Sequence, residues 1–333
     1  MTGSPTPPLN PVRRLWEWLP SAVDRRVTVV AWAALVTQLL IVGTGGAVRL
    51  TGSGLGCPTW PLCTDASLIT TPEMGIHGGI EFGNRLLSVI VGFAAVALVV
   101  VLLRLRARRD LFGPAVAILV LTVLQGLIGG ISVRVKLDPS VVGVHFGISV
   151  VLVALATVVV FRVARGSRGG LVVPRWFAIL THVTSAVLAV TVVVGILTTG
   201  SGPHAGDDAS ARNGLDSELL QHIHSWPAYL TFALTLVLAL AAFARRLPPR
   251  RFVAALLAVE LVQIAVGLTQ ANTGLPPLLV GVHLVLACLL AAAMTATVLS
   301  LRTVGASGIG IRAESADVAA DRFLQPGTPT SNR

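Results

Sequence analysis

The chain has 333 residues, 54 % of them hydrophobic and 12 % charged, with a formal net charge of +10. So apolar a composition excludes an ordinary soluble domain, and the charges gather in clumps between long uncharged runs. The positive balance could suggest nucleic acid, but its distribution along the chain argues against that partner.

The N-terminal stretch 1–25 is polar or mixed and carries several prolines, and it reads as a disordered tail. No small-residue cleavage site follows the first apolar run, so no cleaved leader is expected. Eight apolar runs come next, at about 27–47, 82–103, 113–133, 139–162, 174–198, 222–244, 252–271 and 277–301. Runs of this length satisfy their backbone in lipid only as helices. The expected fold is therefore all-α and integral to the membrane. If the spans alternate in direction, twenty of the 25 basic residues fall on one side. The other side holds only Arg49, Arg85, Arg134, Lys136 and Arg212. By the positive-inside rule both termini are cytoplasmic, in a multi-pass protein of the cell membrane. The stretch 303–333 reads as a second disordered cytoplasmic tail.

Cys57 and Cys63 share the first outside loop, where two close cysteines commonly form a disulfide. Cys288 lies inside the last span and reads as a packing residue.

The third and fourth spans are repeated in the seventh and eighth. LQGLIGGISVRVKLDPSVVGVH ends at His145, and VQIAVGLTQANTGLPPLLVGVH ends at His283. At one constant offset Gln125 matches Gln263, Gly129 matches Gly267, Pro139 matches Pro277, and the four residues VGVH match throughout. Thr51-Gly-Ser-Gly54 and Thr199-Gly-Ser-Gly202 form a weaker echo. The chain therefore reads as two pseudo-symmetric four-helix bundles, 26–165 and 173–302, related as parallel repeats. The matched glycines suit close helix packing, and the prolines suit a first helical turn.

His145 and His283 lie about 9 Å inside their spans. His77 and Glu81 precede the second span on its outer side, and His222 and His224 open the sixth. Polar groups thus gather at one depth, and inside a membrane bundle such groups mark a site. Two neutral imidazoles from two helices suit a six-coordinate haem iron. The C-terminal half supplies His224 with His283. His222 is about 200° round the helix from His224, so only one of them can face the pocket. His224 is favoured, because QHIHS then overlays EFGNR. The N-terminal half has Asn84 in the place of His224, together with His145, Glu81, Arg85 and His77. Such a mixture suits chemistry more than electron storage, since a carboxylate beside a haem can move protons. His182 and His204 read as structural and solvated, and Glu260, in the seventh span, as protonated or paired with Gln263.

The loop TGSGLGCPTWPLC, then His77 and EFGNR, and the duplicated LQG…P…VGVH segments resemble the haem A synthase family in its actinobacterial form, over about 27–301. The resemblance implies oxidation of a methyl group of haem O to the formyl group of haem A, with water as the source of oxygen. It implies haem b on His224 and His283. It implies substrate haem O in the N-terminal half, with His145 as an axial ligand and Glu81, with Arg85 and Asn84, in the catalytic set. Cys57 and Cys63 correspond to a paired loop disulfide, a staple or a participant in electron transfer. The implied partners are a haem O synthase and a quinone or other electron acceptor. Many members carry Glu-x-x-His-Arg where this chain has Glu81-Phe-Gly-Asn84-Arg85. Either His77 replaces the absent ligand, or the substrate iron has one protein ligand, or Asn84 acts through water.

Two other classes compete. A two-haem b-type membrane electron carrier predicts bis-histidine sites in both halves, a symmetry that Asn84 breaks. A transporter predicts interrupted helices and polar groups near the midplane, whereas here they lie towards one surface.

Overall fold

The computed structural model describes residues 10–304. Among them are the helices α1 (Pro11–Trp18), α2 (Arg25–Leu50), α3 (Gly75–Val101), α4 (Arg109–Arg134), α5 (Pro139–Arg165), α6 (Arg175–Ser201), α7 (Ser217–Ala244), α8 (Arg250–Asn272) and α9 (Pro277–Leu299). Helices α2 to α9 are each long and apolar enough to cross a bilayer. The chain is a helical, multi-pass membrane protein with eight spans. Helix α3 begins well before the expected start near 82. Hydropathy marks only the apolar stretch, whereas a single turn at Pro72–Met74 starts the helix early and carries His77 and Glu81 on it.

Lipid-facing surfaces take apolar side chains, and Phe93, Trp226 and Leu278 are largely exposed. Between helices, small residues let backbones approach and leucines fill the gaps. Ala31, Ala95, Ala115 and Ala156 pack with Leu98, Leu111 and Leu152 in the first four spans. Phe177 packs with Ala178, Leu238 and Ala242 in the later ones.

Helix α2 packs on α3 and α5, and α4 packs on the same two. Helix α6 packs on α7 and α9, and α8 packs on the same two. Further contacts join α9 to α2 and α5, and α5 to α6. The matched glycines of VGVH stand at such crossings. A Cβ on Gly143 would lie 2.7 Å from Ile196 Cγ2 of α6, and one on Gly281 would lie 3.1 Å from Leu50 Cδ1 of α2.

Local chemistry sets the helix ends. Asp138 caps α5, its carboxylate accepting from the Ser140 and Val141 amides at 2.9 and 3.4 Å, and Pro139 takes the first turn. Pro114 lies inside α4 and cannot donate to Asp110 O. The Arg162 guanidinium takes that carbonyl instead, at 2.7 Å.

Two segments depart from the expected tails. Residues 11–18 form α1, whose end is held by cations. Arg104 donates to Leu19 O at 2.9 Å and Arg26 to Trp18 O at 2.5 Å, and their guanidinium groups lie over Trp16 and Trp18. The short strand β1 (Arg168–Leu171) pairs antiparallel with β2 (Arg302–Val304). The connection between α5 and α6 is thus tied to the chain just beyond α9, and the stretch expected as a tail from 303 begins inside β2. The remaining expected tails, 1–9 and 305–333, lie outside the described residues.

Gly143→Leu should wedge α5 from α6 and cost about 1–3 kcal/mol, read as earlier thermal unfolding in detergent. Gly92→Ala, where a Cβ meets nothing within 4 Å, should be neutral or stabilising; equal loss in both variants would show that the α5–α6 crossing has no special closeness.

Candidate functional site

Two cavities open between the helices, about 600 Å³ among α2 to α5 and about 260 Å³ among α6 to α9. Glu81, Asn84, Arg85 and His145 line the larger one. His224 and His283 line the smaller. The structure therefore brings together both expected groups, with one exception.

The exception is His77, which is exposed and outside the lining. Its Nδ1 lies 2.9 Å from Ser53 Oγ. The outer loop folds over this turn of α3 so closely that a Cβ on Gly56 would lie 2.4 Å from His77 O. One turn above Glu81 the helix face thus meets the loop, and His77, one of three alternatives for the absent ligand, stands outside the cavity lining. His222 is likewise exposed and outside the lining, as its angular offset from His224 requires. His204, expected to be solvated, is partly buried against Leu275 O at 2.9 Å and lines the smaller cavity. His182 is exposed on α6. Glu260 is buried and lines the smaller cavity with its Oε2 unpartnered, and of the two readings offered for it the pairing with Gln263 is not the one seen, since the Gln263 amide is directed at His283.

The repeat explains how the imidazoles are held. The Gln125 amide donates to His145 O at 2.9 Å and to Ser149 Oγ at 2.7 Å. Its counterpart Gln263 donates to His283 O at 3.3 Å and lies 3.2 Å from His283 Nε2. Glycines leave room for the rings. A Cβ on Gly129 would lie 3.6 Å from His145 Cε1, on Gly267 3.1 Å from His283 Cε1, and on Gly195 2.8 Å from His224 Cε1. The Nδ1 atoms of all three histidines are buried without a partner. The His224 and His283 ring centres are 6.4 Å apart, with planes at 74°. Two imidazoles across one metal stand about 6 Å apart centre to centre, given bonds of about 2.0–2.1 Å.

Beside His145 the larger cavity is bordered by the loop between α2 and α3, which contributes Gly54, Trp60, Pro61 and Leu68 to the lining. Glu81 Oε2 accepts from the Cys57 amide at 2.7 Å, and Oε1 accepts from Arg85 Nη2 at 2.5 Å and Nε at 3.1 Å. Arg85 also donates to Cys57 O at 3.0 Å and Leu62 O at 3.1 Å. Cys57 and Cys63 are joined as a disulfide and fully buried. The loop lays Trp60 over Gly130, where a Cβ would lie 2.3 Å from the ring. Cys288 packs in the helix core, as expected.

The sequence did not single out Trp60 or Thr44, and it marked Arg49 only as one of five basic residues on the sparsely charged side. Arg49, Phe146, Ile196, Thr199 and Leu284 line both cavities and form a shared wall. Arg49 donates to His204 O at 2.7 Å and Thr199 O at 2.9 Å. Its place as a lone cation among few outer-side basic residues was the available signal.

Eight spans around internal cavities, one lined by a pair of facing histidines and the other by a single one, define a multi-pass membrane protein with polar groups gathered inside its helices. The model of the cytochrome oxidase assembly protein family COX15-CtaA matches residues 28–295, and the chain belongs to this family. Similar curated proteins include three each named Heme A synthase. That of Alkalihalophilus pseudofirmus is 30 % identical over 148 residues, 43 % of this chain and 49 % of that protein. That of Exiguobacterium sibiricum is 27 % identical over 150 residues, 44 % and 49 %. That of Bacillus cereus is 33 % identical over 142 residues, 40 % and 45 %. The aligned region thus spans about half the length of the curated relatives.

Removing Arg85 as alanine leaves Glu81 buried without its cation and frees two loop carbonyls, a loss of about 3 kcal/mol. Limited proteolysis should cut the 51–71 loop of Arg85→Ala well before that of the unaltered protein. An equally resistant loop would mean that the disulfide alone holds it.

Proposed function

We propose that this protein is a haem A synthase, oxidising a methyl group of haem O to the formyl group of haem A. Haem O would enter the larger cavity with His145 as its axial ligand, and haem b would be held by His224 and His283. The observation that carries this reading is the unequal furnishing of two repeated cavities. One has an imidazole pair at the spacing of a six-coordinate metal site. The other has one imidazole, an amide and a carboxylate–guanidinium pair. Family membership and the names of the relatives support it.

The donor set fits haem, since His145 lines the larger cavity, His224 and His283 line the smaller with ring centres 6.4 Å apart, and glycines clear the space beside each ring. A haem b held there would supply one-electron storage. The remaining work falls to the protein's own residues. Oxidising methyl to formyl with oxygen from water releases protons and electrons in equal number, so the substrate cavity needs a proton acceptor. Glu81 lines that cavity and is the carboxylate we assign to this task. Arg85 fixes it and, with Cys57 and Leu62, draws the loop over the cavity to exclude water. Asn84 completes the catalytic set. Arg49, in the shared wall, would receive anionic haem edges. A haem O synthase would deliver the substrate, and a quinone or other acceptor would remove electrons.

We read α2–α5 and α6–α9 as two bundles, since each set of four packs in a closed cycle. The arginine clusters at the start of α2 and at the α3–α4, α5–α6 and α7–α8 connections support cytoplasmic termini. A two-haem electron carrier would need an imidazole pair in the larger cavity, where His145 alone is present.

Haem extracted from cells making the protein should include haem A. Glu81→Ala should lower haem A about a hundredfold or more, accumulate haem O and keep haem b. Haem b alone, with haem O available, would end the synthase reading in favour of the electron carrier.

A further inference from the structure

We infer that the iron of haem O in the larger cavity has a single protein ligand, His145, and that Asn84 offers a hydrogen-bond donor to an exchangeable ligand on the opposite side. The inference rests on the reading of that cavity as the haem O site.

Position comes first. Helices α3 and α5 stand diagonally, each packed on α2 and α4. Helices α7 and α9 stand in the same relation to α6 and α8. Across the second diagonal His224 faces His283 at 6.4 Å. Across the first, Asn84 on α3 occupies the place that corresponds to His224, and His145 the place that corresponds to His283. The scaffold is the same and one imidazole has become an amide.

No other side chain replaces it. All seven histidines of the chain lie within the described residues, and His145 is the one that lines this cavity. His77 is turned out to Ser53, His182 and His222 are exposed, and His204, His224 and His283 line the other cavity. No methionine, cysteine, lysine or tyrosine is in the lining. The Glu81 carboxylate is held by the Cys57 amide and by Arg85.

The amide is oriented. The Thr44 hydroxyl of α2 donates to Asn84 Oδ1 at 2.7 Å. That turns the oxygen to α2 and leaves the Nδ2 amine with no hydrogen bond to the protein among the described residues. A carboxamide NH2 has donors and no available lone pair. It cannot bind iron, but it can donate to a water, hydroxide or small diatomic molecule that does. An exchangeable position steadied by a donor is what a site that admits water to its reaction needs.

Carbon monoxide tests this, because it binds ferrous haem only where a coordination position is open. The full chain, carrying its haem b and loaded with haem O, is reduced and titrated with carbon monoxide. We expect one of the two haems to bind it. Asn84→His should retain both haems and lose that binding. Asn84→Ala should bind carbon monoxide with its C–O stretch shifted to higher frequency, because the N–H donor that polarised it is gone. Haem O that is bound yet inert to carbon monoxide in the unaltered protein would overturn the inference alone, and an unshifted stretch in Asn84→Ala would overturn the donor role. A chain that takes up no haem O, with or without His145→Ala, would overturn the underlying reading and this inference with it.

Discussion

An imidazole buried among membrane helices needs space beside its ring and something to satisfy its nitrogens, and both needs shape this molecule. Gly129, Gly195 and Gly267 supply the space. Any side chain at Gly195 or Gly267 would crowd the ring opposite, at 2.8 and 3.1 Å. Gln125 and Gln263 anchor the backbone of the two matched histidines, so these rings start from the same place on their helices. The second need is unmet by the protein, since the Nδ1 atoms remain without partners in a setting where an unpaired polar group costs several kcal/mol. The helix packing follows, because the glycine of each VGVH lets α5 and α9 lean on the first helices of the opposite half while their histidines face inward.

The same economy applies to the Glu81–Arg85 pair. Burying a carboxylate and a guanidinium in lipid is costly unless every donor and acceptor is used. Here the pair uses them on the outer loop: the Cys57 amide, the Cys57 carbonyl and the Leu62 carbonyl all end on it. The loop in turn seats Trp60 on Gly130, beside the cavity that Glu81 lines. One ion pair therefore joins cavity wall, disulfide loop and roof, and none of the three can shift without the others.

Much of this was legible in the sequence, for physical reasons that differ by residue. Eight spans were readable because lipid forces long apolar helices. The cavity histidines were readable because VGVH occurs twice at one offset. His224 was separable from His222 because helical geometry puts residues two apart on different faces. Other features carried no such signal. Helix α1 depends on Arg26 and Arg104, which reach it from α2 and from beyond α3. Strands β1 and β2 are too short to show a period and exist through pairing across the whole C-terminal half. His77 shares a helical face with Glu81 in sequence, but the loop that captures it folds back from before the helix. Thr44 lies on another span, and only packing brings its hydroxyl to Asn84.

Repeated segments begin equal, and the residues that now differ mark where the two parts of the chain have diverged. The glutamine, glycine and histidine of the seventh and eighth spans have exact counterparts in the third and fourth, so the scaffold and one cavity histidine of each repeat have been kept. The differences gather on α3 and its loop: Asn84 against His224, Glu81 against Gln221, and a disulfide loop over one cavity only. A closed pair of imidazoles suits a site that holds its ligand and changes only its charge. An open side, a carboxylate and a clamped loop suit a site where a ligand must enter, react and leave. The two cavities share the wall of Arg49, Phe146 and Leu284, and Phe146 and Leu284 each directly follow a cavity histidine. The cavity with one imidazole and the cavity with two are thereby held in contact by residues of the repeat itself.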